Sequence, residues 1–356
     1  MKAMVYERFG GEVDVRDVPD PVAPDGGVVI RVGASGLCRS DWHAWAGHDD
    51  SVHLPHVPGH EFAGTIESVG DGVSSWSVGQ RVTAPFVNGC GTCAWCLAGQ
   101  SQVCPNQTQP GFTHWGSHAE LVVIRAADLN VVAVPDSLTD DAAASLGCRF
   151  ATAYRAVRAR ADVRAGEWVA VYGAGGVGLS AVMIAAALGA RVIAVDRNPA
   201  ALDLALTLGA EQAMLAGDTT PDDIADLTGG GAHVSIDAVG SAGTSSAAVR
   251  SLRRRGRHVQ IGLLSSAELP VLPLDRILAW ELDILGSHGM SAADYPGMLD
   301  LVARGELRPQ DLLGGAVTLE AGASLLPRLD QASVTGITVV HPGAAGSAAH
   351  GIPGAE

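Results

Sequence analysis

Residues 168–196, WVAVYGAGGVGLSAVMIAAALGARVIAVD, decide the fold of this 356-residue chain. Five apolar residues at 168–172 form a β-like run that ends in the glycine-rich turn GAGGVG at 173–178. An alanine-rich helical stretch follows, and a second β-like run ends at Asp196. A strand, a glycine-rich turn, a helix and a second strand within about 30 residues are typical of a βαβ unit. The stretch therefore predicts a doubly wound parallel sheet.

Five of the six residues in the GAGGVG turn have a structural or binding role that such a unit requires. Gly173 permits the tight turn, Gly175 lets a pyrophosphate approach the backbone, and Gly178 allows the helix to pack closely on the strand. Gly176 and Val177 open the helix, whose N-terminal N–H groups bind phosphate. The sequence predicts that these five residues bind a dinucleotide cofactor.

Asp196 follows Gly178 by 18 residues, close to the roughly 20 expected for the acid that binds the cofactor's ribose. A carboxylate at this place accepts a hydrogen bond from a 2′-hydroxyl and repels a 2′-phosphate. We therefore expect NAD as the cofactor, with NADP less favoured. The neighbouring Arg197 is a contrary indication.

The first 150 or so residues differ in character from the residues that follow. Their short apolar runs, separated by Gly, Pro, Asp and Ser, predict a β-rich barrel or sandwich. From about residue 150, alanine-rich helices alternate with Val/Ile strands, which extends the parallel sheet. Strands are expected at 168–172, 191–195, 233–238, 257–261 and 282–286, and helices at 177–188, 199–208 and 244–254. After residue 287 we expect a helix at 294–304, a strand at 336–340 and a mobile tail from about 342.

Charge and hydropathy exclude two classes of partner. The net charge is −15, from 23 Lys and Arg against 38 Asp and Glu, so no nucleic-acid partner is expected. The one basic run, Arg253 to Arg257, is interpreted as the solvated end of a helix before a strand. The uncharged stretch 168–190 could span a bilayer by length, but its glycines leave an apolar helix of only about a dozen residues. No membrane partner is expected, and the N-terminus has no apolar signal region, which predicts a cytoplasmic protein.

Four of the six cysteines, Cys90, Cys93, Cys96 and Cys104, fall within fifteen residues. Thiols at this spacing can converge from a tight loop, so they predict a closed four-cysteine structural zinc site in a lobe at about 88–106. Bacterial ferredoxins end a similar run with Cys-Pro, as here at 104–105, but after a three-residue gap instead of seven. An iron–sulfur cluster, disulfides and free thiols stay open as alternatives to zinc.

A second set of candidate ligands is spread along the chain. Cys38 opens CRSDWH, His60 is the centre of GHE at 59–61, and Cys148 lies in LGCRF at 146–150. Singly, a cysteine is a common buried residue, and a histidine is often only a satisfied polar group. Together they make two thiolates and one imidazole with one open position, the ligand count of a catalytic zinc. The sequence thus predicts two Zn²⁺ per chain.

These motifs in this order resemble the zinc-dependent medium-chain alcohol dehydrogenases, and the resemblance extends over about residues 1–340. It implies a GroES-like β-rich catalytic domain at 1–149 and 288–356, and a Rossmann NAD-binding domain at 150–287. It also implies a homodimer or homotetramer. Cys38, His60 and Cys148 are then the catalytic zinc ligands.

The resemblance further implies roles for five residues near those ligands. Ser40 passes the substrate's proton inward, and His43 hands it to solvent through the cofactor ribose. Asp41 and Glu61 are carboxylates close to the metal ligands. Of the two, Glu61 approaches the metal transiently. Arg39 contacts the cofactor phosphates.

The implied reaction is hydride transfer between a small-molecule alcohol and NAD(P), which interconverts the alcohol with an aldehyde or ketone. Two other functions stay open at this point. One is a zinc-independent quinone or enone reductase, and the other is a non-catalytic NAD-binding redox sensor.

Overall fold

A computed structural model of the chain describes residues 1–264, 269–330 and 335–343. The chain divides into two compact units. Unit 1 comprises Met1–Ala151, Gly289–Ala303 and the chain from Leu313 onward, and unit 2 comprises Thr152–His288 and Arg304–Leu312.

The described residues form fifteen β-strands and twelve α-helices. The strands are β1 (Lys2–Val5), β2 (Asp14–Asp17), β3 (Val28–Leu37), β4 (Glu61–Val69), β5 (Arg81–Thr83), β6 (Leu121–Ile124), β7 (Val132–Ala133), β8 (Trp168–Tyr172), β9 (Arg191–Asp196), β10 (Gln212–Leu215), β11 (Ala232–Asp237), β12 (Leu252–Gln260), β13 (Asp283–Gly286), β14 (Leu313–Thr318) and β15 (Ile337–His341). The α-helices are α1 (Arg39–Trp45), α2 (Ala94–Leu97), α3 (Ala127–Asn130), α4 (Asp140–Ala144), α5 (Ala151–Arg155), α6 (Gly176–Ala187), α7 (Pro199–Thr207), α8 (Thr220–Thr228), α9 (Ala242–Arg250), α10 (Leu274–Trp280), α11 (Tyr295–Ala303) and α12 (Leu319–Leu325).

Unit 2 is built on a six-stranded sheet in the order β10-β9-β8-β11-β12-β13. All of its strand pairs are parallel. Numbered within the unit, this order is 3-2-1-4-5-6, the doubly wound arrangement that binds dinucleotides at its central crevice. Apolar side chains of β8 and β9, among them Ala170, Tyr172 and Ile193, are buried in its core. The predicted parallel sheet is confirmed.

The prediction of a helix at 244–254 is wrong at its end. Helix α9 stops before the basic run, and β12 begins at Leu252, so the arginines belong to a strand and not to a helix end. Leu252 is fully buried, and Arg257 forms an ion pair with Glu167 at 2.5 Å. These tertiary contacts stabilise an extended backbone where local helix propensity predicted otherwise.

Unit 1 contains a seven-stranded sheet in the order β14-β15-β3-β4-β5-β7, with β6 also paired to β3, and the two-stranded sheet β1-β2. Val28, Ile30 and Ile66 are buried in a core between its strands. This sheet agrees with the β-rich first domain expected from the short apolar runs.

The unit boundaries differ from the predicted ones at both ends of the second domain. Phe150 and Ala151 belong to unit 1, whereas the prediction began the second domain at 150. The prediction put all of 288–356 with the first domain, whereas His288 and Arg304–Leu312 belong to unit 2. The reason is local, since the short helical turn Pro309–Leu312 packs against α6. Residues 344–356 of the predicted mobile tail lie outside the described residues. In the described part of the chain, no helix combines the length and apolar character needed to cross a membrane.

Candidate active site and metal centres

The pairing of β3 with β4 brings Cys38 and His60 together. Strand β3 ends at Leu37 and β4 begins at Glu61, and their antiparallel register sets Gly36 opposite Glu61. The residue directly after one strand and the residue directly before the next are therefore neighbours. This explains how two ligands so far apart in sequence reach one site.

Cys148 reaches the same place from a π-helical turn, Leu146–Phe150. The backbone N–H of Phe86 donates to the Gly147 carbonyl at 2.9 Å. A Cβ on Gly147 would lie only 3.1 Å from the Ala84 oxygen and 3.3 Å from the Glu61 Cα. Glycine thus lets the turn approach β4 and deliver the neighbouring thiol.

We call the resulting group the buried cluster: Cys38, His60, Glu61 and Cys148. Their ligand atoms all lie within 4.8 Å of one another. His60 and Glu61 have no exposed surface, Cys38 is 4 % exposed and Cys148 is 9 % exposed. Rings of Phe86 and Phe112 lie 6.0 Å and 5.1 Å from the His60 ring, so apolar surface surrounds the imidazole.

Asp41 fixes the orientation of His60. The Nδ1 atom of His60 lies 2.9 Å from Asp41 Oδ1, and the carboxylate also accepts the backbone N–H groups of Cys38 at 2.8 Å and Gly59 at 3.1 Å. Burial raises the pKa of Asp41, but His60 and His118 hold it well below its ordinary value. Because the carboxylate is charged and accepts only, His60 donates from Nδ1.

This arrangement leaves the other ring nitrogen available to a metal. His60 Nε2 is buried and has no hydrogen-bond partner within the described ranges. A hydrogen bond with Cys148 lowers the pKa of the Cys38 thiol well below its ordinary value, and Arg149 adds to this against the effect of burial. An orphaned imidazole nitrogen beside two thiols, one of them readily ionised, fits the ligand chemistry of zinc.

Glu61 is held by Arg149, a residue that sequence reasoning missed. The Arg149 guanidinium contacts both carboxylate oxygens, with Nε 2.9 Å from each, and its backbone N–H donates to Oε1 at 2.8 Å. Both residues are buried. Burial raises the pKa of Glu61, and the charge of Arg149 opposes that rise. The pair places a carboxylate and a guanidinium beside the candidate ligands.

The proposed relay residues lie on α1, next to Cys38. Ser40 is half-buried, and His43 Nδ1 lies 3.0 Å from Nδ1 of the exposed His48. Burial lowers the pKa of His43, and His48 and Arg39 lower it further. The Arg39 guanidinium lies 5.3 Å from the Trp42 ring centroid.

The second group, here called the lobe cluster, consists of Cys90, Cys93, Cys96 and Cys104. Its four sulfurs also lie within 4.8 Å of one another. Backbone N–H groups point to them: Cys96 N lies 3.5 Å from Cys93 Sγ, and Cys90 N lies 3.4 Å from Cys104 Sγ. Hydrogen bonds from Thr92 lower the pKa of Cys90 to about 5. The set offers a closed tetrahedron of thiolates.

Asn130, which no sequence pattern singled out, anchors the start of this lobe. It is fully buried, its Oδ1 accepts from Gly89 N at 2.9 Å, and its Nδ2 donates to the Gly89 carbonyl at 2.9 Å. The backbone just before Cys90 is thereby fixed to α3.

In unit 2 the glycine-rich turn has the geometry that its sequence predicts. Gly173 has φ +93°, and a Cβ on Gly178 would overlap the Gly173 carbonyl oxygen. A Cβ on Gly175 would meet nothing within 4 Å, so the backbone there is open to a ligand, and α6 begins at Gly176. Asp196, at the end of β9, accepts the Ala174 N–H at 2.6 Å. The acid and the turn therefore form one continuous surface.

Comparisons with known proteins agree with both units. Residues 24–136 match the alcohol dehydrogenase GroES-like domain, and residues 176–304 match the zinc-binding dehydrogenase family. An alcohol dehydrogenase of Geobacillus stearothermophilus is 37 % identical over 315 residues, which cover 86 % of this chain and 90 % of that protein. The crystal structure of an NAD-dependent alcohol dehydrogenase superposes with a TM-score of 0.88 at 31 % identity, covering 96 % of this chain and all of that one. An alcohol dehydrogenase from Thermus sp. ATN1 gives 0.88 at 30 % identity, covering 96 % of this chain and 99 % of that one.

A GroES-like unit and a Rossmann unit in one chain, with cysteine and histidine clusters in the first, define a zinc-binding dehydrogenase. The chain belongs to the zinc-dependent medium-chain alcohol dehydrogenase family. It is an NAD(P)-linked oxidoreductase that interconverts small-molecule alcohols with aldehydes or ketones. The family assignment argues against the two alternatives, an enone reductase and a redox sensor.

Proposed function

We propose that the chain is an NAD-dependent alcohol dehydrogenase with two zinc sites. The observation that carries the proposal is the buried cluster, where the ligand atoms of Cys38, His60 and Cys148 lie within 4.8 Å of one another and His60 Nε2 has no hydrogen-bond partner among the described residues. Cys38, His60 and Cys148 would hold the catalytic zinc, and the lobe cluster would hold the structural zinc. Zinc at the first site supplies a Lewis acid for an alcohol oxygen, and NAD supplies the hydride acceptor.

The chain's own residues then orient the site and move the proton. Asp41 keeps the hydrogen of His60 on Nδ1, so that Nε2 stays free to ligate. Ser40 takes the substrate's hydroxyl proton, and His43 delivers it to solvent, where His48 lies 3.0 Å away. A lowered pKa keeps His43 neutral at pH 7 and able to accept that proton.

The carboxylate of Glu61 has a different task. Arg149 engages both of its oxygens, so the pair supports the electrostatics of the cluster while Cys38, His60 and Cys148 ligate. Transient approach of Glu61 to the metal would require this pair to open.

The cofactor preference rests on the surface formed by the GAGGVG turn and Asp196. Open backbone at Gly175 and the N-terminus of α6 suit a pyrophosphate. The carboxylate of Asp196 suits a free ribose 2′-hydroxyl and repels a 2′-phosphate, which supports NAD over NADP. Arg39, exposed at the start of α1, is proposed to contact the phosphates.

We propose a homodimer or homotetramer. Strand β13 is an edge of the six-stranded sheet, and in the described residues no strand pairs with its outer side. Helix α10 and the segment before it expose four apolar side chains by 71–83 %: Leu269, Val271, Leu274 and Leu278. An unpaired edge and exposed apolar residues support association with a second copy.

We also propose that the protein works in the cytoplasm. All six cysteines are free thiols, and all six belong to one of the two candidate ligand sets. Reduced thiols of this kind persist in a reducing compartment.

Metal analysis combined with an alcohol panel tests the proposal. Two zinc ions per chain and alcohol-dependent NAD reduction are expected. One zinc with cofactor binding but no turnover would support the redox sensor instead, and zinc-free reduction of enones would support the enone reductase.

The cofactor assignment has its own variant. Asp196→Ala should raise the kcat/KM ratio of NADP to NAD by about tenfold, since it removes the charge repelling the 2′-phosphate. Asp203→Ala, an exposed acid on α7, is the matched control and should leave the ratio unchanged. An unchanged ratio in Asp196→Ala contradicts the assigned role.

A further inference from the structure

A line of fully buried polar side chains continues behind the buried cluster, on the far side of Asp41 from His60. Its members are His118, Ser35 and Ser117, and none of them has exposed surface. His118 Nε2 lies 3.4 Å from Asp41 Oδ2, a polar contact longer than an ordinary hydrogen bond, and it has no hydrogen-bond partner among the described residues. His118 Nδ1 lies 2.9 Å from Ser35 Oγ. Ser35 Oγ in turn lies 2.7 Å from Ser117 Oγ.

We propose that His118 is a positioning residue of the metal centre. Its Nε2 faces Oδ2 of the buried Asp41 carboxylate at 3.4 Å, and this polar contact helps to hold the carboxylate that orients His60. The inference rests on the proposed function in one respect, because it takes Cys38, His60 and Cys148 to hold the catalytic zinc.

The direction of the hydrogens follows from the carboxylate. Asp41 is an anion and accepts only, so the histidine nitrogens facing it, His60 Nδ1 and His118 Nε2, both carry hydrogen. With the hydrogen on Nε2, His118 Nδ1 can accept from Ser35 Oγ, and Ser35 Oγ can in turn accept from Ser117. His60 is left with a lone pair on Nε2, the nitrogen that has no other partner in the described residues.

Three hydrogen-bond donors and one longer polar contact face the two oxygens of the Asp41 carboxylate. Oδ1 faces Gly59 N and His60 Nδ1, and Oδ2 faces Cys38 N and His118 Nε2. Of these four groups, removing His118 would leave Oδ2 with Cys38 N alone, and the buried carboxylate would be held less firmly. A buried charge tolerates such a loss poorly.

The backbone around His118 is rigid enough for such a role. Its N–H donates to the Pro58 carbonyl at 2.9 Å, and its own carbonyl accepts from Met4 N at 2.9 Å. Ser117 N donates to the Gly59 carbonyl at 2.9 Å. At Gly59 a Cβ would lie 2.4 Å from His118 N, so glycine is required for the two segments to pack this closely.

Three substitutions separate the two ring nitrogens. Gln places an amide nitrogen near the position of Nε2 and can still donate to Asp41. Asn reaches only the position of Nδ1 and can contact Ser35 but not Asp41. Phe keeps the ring volume and removes both nitrogens. The matched control is His258→Phe, because His258 is also buried and its Nδ1 lies 3.0 Å from a serine, Ser235, in unit 2.

The readout is the rate at which zinc leaves the full-length protein for a chelator. With two zinc sites, release should occur in two kinetic phases. The phase of zinc release that is missing in Cys148→Ala is assigned to the buried cluster. His118→Phe and His118→Asn should speed that phase by about ten- to a hundredfold, the range for residues that orient a metal ligand. His118→Gln should stay within about threefold of wild type, the slower phase of the lobe should not change, and His258→Phe should match wild type.

Three results would count against these ideas, and they point to different failures. If wild type itself lacks the phase assigned to the buried cluster, the proposed function fails. If wild type has it and His118→Phe releases zinc at the wild-type rate, the role of His118 is wrong. If Gln behaves like Asn, the effect comes from packing and the donor role is likewise wrong. The Gln and Asn pair still decides the question should His118→Phe not fold.

Discussion

The buried cluster and the lobe cluster each gather four candidate ligand atoms within 4.8 Å, yet their surroundings differ. The buried cluster is enclosed by charged partners: Asp41 holds His60, and Arg149 holds Glu61. In the lobe cluster the sulfurs accept backbone N–H groups, and Cys90 and Cys93 are partly exposed.

Under the proposed assignment, this difference separates a reacting centre from a clamp, the structural zinc site. Charges fixed in a buried site interact strongly and hold their geometry, which a reaction that develops charge requires. Four thiols already complete a tetrahedral shell, so the lobe cluster has no place for a substrate. The two ligand sets therefore predict different responses to mutation. Loss of a ligand should lower turnover at the buried cluster and stability at the lobe cluster.

The largest effect is expected for Cys148→Ala. Removal of one of three ligands should abolish metal binding at the buried cluster and lower turnover by about a thousandfold or more, since the metal contributes several kcal/mol to the barrier. Zinc per chain should fall from two to one, and the thermal midpoint should change little. Full turnover with two zinc ions bound would remove Cys148 from the ligand set.

The next prediction concerns stability. Arg149→Met should change the free energy of unfolding by an amount similar to the change in activation free energy expected for Cys148→Ala. It leaves the Glu61 carboxylate buried without its partner, which typically costs about 3–5 kcal/mol and should lower the thermal midpoint by about 10 °C. The double variant with Glu61→Gln should recover much of this loss.

The chain offers a close control for this prediction. Arg31 contacts Glu67 through Nε at 2.9 Å and Nη2 at 2.7 Å, in the same two-point geometry but on the surface. Arg31→Met should cost less than about 1 kcal/mol. Equal losses from both arginines would show that burial does not distinguish the Glu61 pair.

These two regions also show which features a sequence can reveal. The lobe cluster and the GAGGVG turn are local, so spacing alone predicted them. Arg149 and Glu61 are 88 positions apart, and their contact depends on a helical turn approaching β4. His118 and Asn130 likewise gain their roles through sheet register and loop packing. The local sequence pattern does not show which distant residues will be in contact. For the same reason, the Arg253–Arg257 run was predicted as the end of a helix, whereas tertiary contacts make it a strand.

Cys93→Ala tests the clamp. We expect the thermal midpoint to fall by about 5–10 °C, because a structural zinc site contributes directly to folding. Below that midpoint, turnover per bound catalytic zinc should stay close to wild type. A variant that loses turnover while it melts normally would make the lobe cluster part of the reacting centre and would remove the contrast drawn here.

The smallest effect is expected for His43→Gln, which interrupts the proposed proton path while leaving both clusters intact. Alcohol oxidation near pH 7 should slow by an order of tenfold, below the usual range for general base catalysis because water can still take the proton. The pKa of His43 lies below its ordinary value, so wild-type His43 is already neutral at pH 7 and gains nothing as the pH rises. In His43→Gln, hydroxide has to take up the substrate's proton. The difference in oxidation rate between the variant and wild type should therefore become smaller toward pH 9. The exposed His53→Gln, in the same unit, should show neither change, and a deficit that is constant with pH would contradict a relay through His43.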